Sequence, residues 1–267
     1  MRSGGAPKDD TLGKGAFLNG LTLGLSKGEA RITATASYMI DLHGFGWQLA
    51  LGAWMTLRVA FASLLPGLVL GLIGAGMKLS PFRLLRALAD LYTTVVRGVP
   101  ELLIILILYF GGTIFLNWVL SVVAPTLALE IDAFLAGVVA LSLVFGAFAT
   151  EVFRGAFLAV PRGQIEAARA VGMGRRLIFR RIQLPQVWRF ALPGLGNVWL
   201  VHLKATALVS VVGLDELLRS AYVAAGATRE PFTFYAAAAV IYLGFTIMSM
   251  LGLQILERRA RRGVRLA

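Results

Sequence analysis

The residues best placed to do chemistry in this chain sit in surroundings that ought to exclude them. Asn197, His202, Lys204, Thr206 and Ser210 fall within one otherwise apolar run, Phe190 to Val212. Polar and ionisable side chains in a membrane-length segment are functional candidates by default, because a bilayer makes them costly unless they line a path or find partners. They are read as one wall of a translocation path. Lys204 has two readings: it lines that path, or it snorkels to the headgroups with no role in transport. Glu101, after Pro100, also has two: a first-turn acid that caps a helix, or a group facing substrate. A third set, Glu166-Ala167-Ala168 with Gly172, lies in a polar insert beside Arg175, Arg176, Arg180 and Arg181.

Several chemistries are excluded. There is no cysteine, so disulfides and thiolate metal sites are out, and the only histidines, His43 and His202, form no metal pair on one helix. The chain has no G-x-x-x-x-G-K-[ST] phosphate cradle, no G-x-S-x-G elbow and no H-E-x-x-H helix. Energy for any pumping must come from elsewhere.

The elements that position these residues follow from composition: 58% of the 267 residues are apolar and 15% charged. Four uncharged windows, Val59 to Met77, Leu102 to Leu120, Ala133 to Thr150 and Thr233 to Leu256, are each long enough for a hydrocarbon core about 30 Å thick. Phe190 to Val212 makes a fifth. Their continuous apolar runs lack barrel alternation, which predicts an all-α membrane protein of five transmembrane helices. The net charge of +12 does not signal nucleic acid, because basic residues alternate by loop. They crowd between the first and second windows, from Arg154 to Arg189, and after the last window. The positive-inside rule then sets the N-terminus outside and the 151–189 segment and C-terminus in the cytoplasm. No removable signal peptide is evident.

Residues 1–46 read as a loosely ordered extension and 47–267 as the membrane domain. In the first window Gly67 and Gly71 predict close helix packing, and Pro66 a bend. From Pro161, the spacing of Ile165, Ala168 and Val171 predicts a helix of about two turns, stopped at Gly172, where a left-handed residue is cheap only for glycine. A second, amphipathic helix carries Ile178, Phe179 and Ile182 against its arginines, whose expected role is to lie on anionic lipid, and ends at Gln183-Leu184-Pro185. Glu151 and Arg154 should pair. Glu130, Asp132, Asp215, Glu216 and Glu230 would make a mildly acidic outer mouth.

The string Glu166-Ala167-Ala168, Gly172, Ile182-x-Leu184-Pro185 resembles in full the EAA signature of integral membrane permeases of ABC importers. Arg97-Gly98-Val99-Pro100, Phe153 to Pro161, Ala191 to Asn197 and Leu203 to Ser210 are similar to the polar amino-acid branch. More narrowly, residues 43 to 265 resemble Q-type permease subunits of histidine/lysine/arginine/ornithine and opine importers. The resemblance implies a type I importer fold in a bacterial inner membrane, with segment 160–186 as cytoplasmic coupling element. Glu166, Ala167, Ala168 and Gly172 would engage a dimeric ATPase that uses ATP and magnesium, this chain binding no cofactor. A second permease of different sequence, an M-type partner, and an extracytoplasmic amino-acid-binding protein complete the implied assembly. Basic amino acids are the expected substrate, with opines or glutamine/glutamate as alternatives. Two other classes compete: a lipid enzyme using Glu151, His202 and Lys204, and a passive channel.

Overall fold

The computed structural model describes residues 42–123 and 132–260. Most of the expected extension, Glu130 and the arginines beyond Ala260 lie outside the described residues. Among the described residues there are helices and no strands. Four helices among the described residues are long and apolar enough to span a membrane, and a pair bent by 108° brings the number to five when counted as one span.

Helix α1, Gly46–Lys78, begins well before the apolar window, because Arg58 does not end it: its guanidinium lies 5.4 Å from the Phe134 ring centroid. Pro66 sits on an exposed side of this unbroken helix. The close packing read from Gly67 and Gly71 is present, since a Cβ on Gly71 would come 2.6 Å from that of Ala149. Helix α2, Arg83–Gly98, occupies what reads as a loop in sequence. Ala89 and Thr93 pack inward, while Leu84, Leu88, Leu91 and Val95 form an exposed stripe. Pro100 then breaks the chain, which turns into α3, Glu101–Leu106, and continues through a π turn, Ile107–Gly111, into α4, Gly112–Val123.

Helix α5, Ala133–Leu158, is the centre of the bundle, rich in small buried residues around Phe145, and Asp132 caps it by accepting from Phe134 N at 3.2 Å. One apolar cluster joins Ala75, Phe145, Phe153, Val187 and Leu195; another joins Val59, Ile105, Leu141 and Val209. Burying such surface drives soluble folding, whereas in a bilayer the gain is tight van der Waals packing, which the small residues permit.

The insert forms α6, Arg162–Ala170, and α7, Arg175–Ile178. The expected stop at Pro185 is wrong. A π turn, Phe179–Gln183, carries α7 directly into α8, Leu184–Ala205, where Pro185 sits in the first turn. The π turn just before it breaks the regular hydrogen-bond ladder, which is where a proline can be carried within a continuous helix. Helix α8 tightens into a 3₁₀ segment, Thr206–Val212, and stops at Gly213, whose φ is +91°. The stretch read as an outer loop contains α9, Leu217–Thr228, before the last span, α10, Pro231–Ala260.

One end of the bundle is basic and tied together. The expected Glu151–Arg154 pair is formed at 2.8 Å, and Lys78 joins it by bonding both Glu151 and Asp90, so a single ammonium links α1, α2 and α5.

Candidate functional site

Helices α3, α5 and α8 enclose a cavity of about 120 Å³ lined by Glu101, Phe145, Phe148, Asn197, Val201 and His202. Two distant parts of the sequence thus meet: Glu101 in the first turn of α3, and Asn197 and His202 on α8. Glu101 stands directly after Pro100, and its half-buried carboxylate has no hydrogen-bond or ion-pair partner among the described residues. A carboxylate held in mainly apolar surroundings without a partner is unfavourable until a cation or a donor meets it. Arg97 makes no ion pair with it among the described residues; its guanidinium lies 5.1 Å from the ring centroid of Phe148, another residue of the cavity wall.

His202 is the packed histidine its surroundings suggest. Its Nε2 lies 2.8 Å from Ser63 Oγ, which is itself 2.7 Å from Val59 O, so a buried hydrogen bond ties the ring to α1. Phe145 stands edge-on at 5.0 Å. Among the described residues no cluster could hold a metal. Lys204 is exposed, has no ion pair among the described residues, and shares a helical face with Asn197 and Val201 through i, i+4, i+7 spacing. Thr206 and Ser210 do not reach the cavity: their hydroxyls bond Leu203 O at 2.8 Å and Ala207 O at 2.7 Å.

Glu216, expected in a mildly acidic outer mouth, is completely buried. Its Oε1 accepts from Arg219 N at 2.9 Å and its Oε2 from Tyr242 OH at 3.0 Å, with Thr56 Oγ1 at 3.2 Å. One side chain therefore caps α9 and ties it to α1 and α10. No local signal marks it, because a loop acid and a buried knot look alike in sequence; only the helix that follows hints at a cap. Burial pushes the carboxyl above its usual range, against the hydrogen bonds that favour its charged form. A raised folded pKa means that the folded state holds this proton when the unfolded chain has released it. Stability should therefore fall as pH rises from the unfolded value through the folded one. Tyr242 faces the carboxyl, while Arg219 gives it only a backbone N–H and pairs through its guanidinium with Asp215. Glu216→Gln, which keeps an acceptor for Arg219 N while both hydroxyls can reverse, should flatten the pH dependence of thermal unfolding in detergent. Equal slopes in the two proteins would contradict the assignment.

At the basic end, α6 is docked on its own protein. Ala168 is buried, Ile165 packs on the core, and Gln186 Nε2 donates to Gln164 Oε1 at 2.6 Å. Of the two motif alanines, only Ala167 is exposed, beside Glu166. Val171, expected on the inward face, is 78% exposed because the helix ends at Ala170 and the chain turns away. The turn is made at Gly172, with φ +81°, closed by Met173 N to Ala168 O and Gly172 N to Arg169 O, both 3.0 Å. This pairing is the Schellman stop, which needs a left-handed residue.

A bundle of spanning helices around a mainly apolar cavity that holds three polar side chains, with a short helix ended by a left-handed glycine at its basic end, fits an integral membrane transport component. Residues 67–262 match the family of binding-protein-dependent transport system inner membrane components, and the chain belongs to it. That family consists of transport components of the inner membrane, not enzymes. The nopaline transport system permease protein NocQ of Agrobacterium fabrum is 51% identical over 223 residues, 83% of this chain and 94% of that protein. The histidine/lysine/arginine/ornithine transport system permease protein HisQ of Escherichia coli is 46% identical, over 85% of this chain and 99% of its own. A crystal structure of an amino acid ABC transporter with histidines superposes with a TM-score of 0.72 at 33% identity, covering 83% and 98% of the two chains.

Proposed function

We propose that this chain is a permease subunit of an ATP-driven importer for cationic amino acids, with a separate ATPase dimer supplying energy from ATP and magnesium. The observation that carries the substrate class is the unpartnered Glu101 carboxylate in the cavity with Asn197. An amino acid with a basic side chain brings the cation that this group lacks. His202, held by Ser63, shapes the wall, and Lys204 extends the same face of α8. The open side of the cavity and the exposed stripe of α2 support a second permease, of different sequence, that completes the path. Glu166, Ala167, Val171 and the Gly172 hinge engage the ATPase, with Ala168 holding the lever to the body. The clustering of Lys78, Arg154, Arg189 and Arg258 at one end supports placing that end and the C-terminus in the cytoplasm and the N-terminus outside, where a binding protein delivers substrate.

The 51% identity to a nopaline permease keeps opines within this reading. The test is uptake into proteoliposomes holding the full transporter, with ATP inside and its binding protein outside. Labelled arginine should accumulate only with ATP, with competition by lysine or nopaline and none by glutamate. Flux indifferent to ATP, or competition by glutamate alone, would overturn the reading.

A further inference from the structure

A second, larger hollow lies away from the cavity. It is an apolar groove of about 540 Å³ between α1, α8 and α10, with Phe61, Leu64, Trp188, Trp199, Met248 and Leu256 among its walls. Its only polar feature of note is closed on itself, Trp199 Nε1 donating to Ser249 Oγ at 3.1 Å. The three walls have matching lengths. They run from Leu57 to Leu68, from Trp188 to Trp199 and from Phe245 to Leu256. Each stretch rises about 16 Å at the helical pitch, which is about half the thickness of a hydrocarbon core. A crossing helix from another chain needs twice that length; an acyl chain of one leaflet needs just this much.

The groove ends among arginines. Arg189 Nε donates to Ala260 O at 2.7 Å, which pins its guanidinium at the close of α10. Arg259 follows Gly252 and Leu256 of the groove wall at i+7 and i+3, so it shares their face, and Arg258 is beside it. Glu257 is the one carboxylate in that turn, and the sequence continues into Arg261, Arg262 and Arg265. Trp188 stands at this end, at the depth where indoles settle between tails and headgroups. Basic clusters between spanning helices favour anionic headgroups.

We propose that this groove holds one anionic phospholipid, its acyl chain against Trp188 and Trp199 and its headgroup phosphate on Arg189 and Arg259. The site is separate from the cavity that contains Glu101 and owes nothing to the substrate carried. It gives the membrane leaflet at the basic end a direct hold on α8, the helix that bears Asn197 and His202, and on α10.

The test uses full-length protein in mild detergent, offered equal amounts of phosphatidylglycerol and phosphatidylcholine, with bound lipid counted by native mass spectrometry. One phosphatidylglycerol per chain should remain, at least tenfold over phosphatidylcholine. Arg259→Gln should remove that preference. Gly252→Leu should remove retention of both lipids, since position 252 faces the groove and a Cβ there meets nothing within 4 Å, so the fold tolerates it. Equal retention of the two lipids, or unchanged retention in Gly252→Leu, would overturn the proposal. So would a covalent dimer of this otherwise cysteine-free chain on oxidation of Gly252→Cys, which would place a second copy in the groove.

Discussion

Replacing Gly172 by valine is expected to leave the protein inserted and assembled while separating ATP hydrolysis from uptake. Nothing lies within 4 Å of a Cβ built at this position, so the substitution meets no neighbour. What it meets is its own backbone, at φ +81°. A left-handed conformation costs an ordinary residue about 1 to 2 kcal/mol, more for a β-branched one and less for asparagine. At about 1.4 kcal/mol per tenfold change, the stopped geometry would become roughly fivefold rarer with alanine and at least thirtyfold rarer with valine. Uptake per ATP hydrolysed should therefore decline in the order glycine, asparagine, alanine, valine. Protein levels should stay constant, because the lost turn is exposed and the core clusters do not include it. A variant series ordered by side-chain size instead, with asparagine worse than alanine, would show that space and not φ governs the lever.

Glu101→Gln carries the other large effect. The carboxylate bonds nothing among the described residues, so exchanging it for an amide of the same shape should cost the fold little. Hydrogen bonds to charged groups are worth about 1.5 to 3 kcal/mol, so loss of the charge should raise the concentration of cationic substrate needed for half-maximal uptake by about ten- to a hundredfold. Basal ATPase activity should hold. The effect must also be selective: neutral analogues, if carried at all, should be less affected than arginine. Unchanged arginine uptake by a correctly inserted Glu101→Gln protein would return Glu101 to the role of a bystander at the start of a helix.

The insert around Gly172 was legible because its geometry is local. A helix of about two turns and a left-handed stop depend on residues within one short stretch, and Gly172 adopts the conformation its position implies. The span of α5 and the Glu151–Arg154 pair were readable for the same reason. Two of the failures, at Arg58 and Glu216, come from contacts between distant segments, and the other two from local features. Arg58 looked like the end of an apolar window until the Phe134 ring was placed beneath it. Pro185 looked like a stop, but a π turn carries the chain past it. Helix α2 was hidden by its charges, although Leu84, Leu88, Leu91 and Val95 keep helical spacing and were a usable signal. Glu216 was hidden most deeply, since its partners Thr56 and Tyr242 come from α1 and α10. The candidate path divides in the same way. Glu101, Asn197 and His202 converge, whereas the hydroxyls of Thr206 and Ser210 turn back to their own helix.

The central claim is that the exposed face of α6 docks on an ATPase, and the absence of cysteine from the chain allows a clean test. Ala167→Cys, labelled in native membranes with a photoactivatable maleimide, is irradiated and the joined protein identified by mass spectrometry. The account predicts a cytoplasmic ATPase of the ABC class as the main product, lost when the label is moved to exposed Tyr222 on α9. Labelled Ala167→Cys protein joined only to lipid, and shown to be folded and inserted, would contradict it.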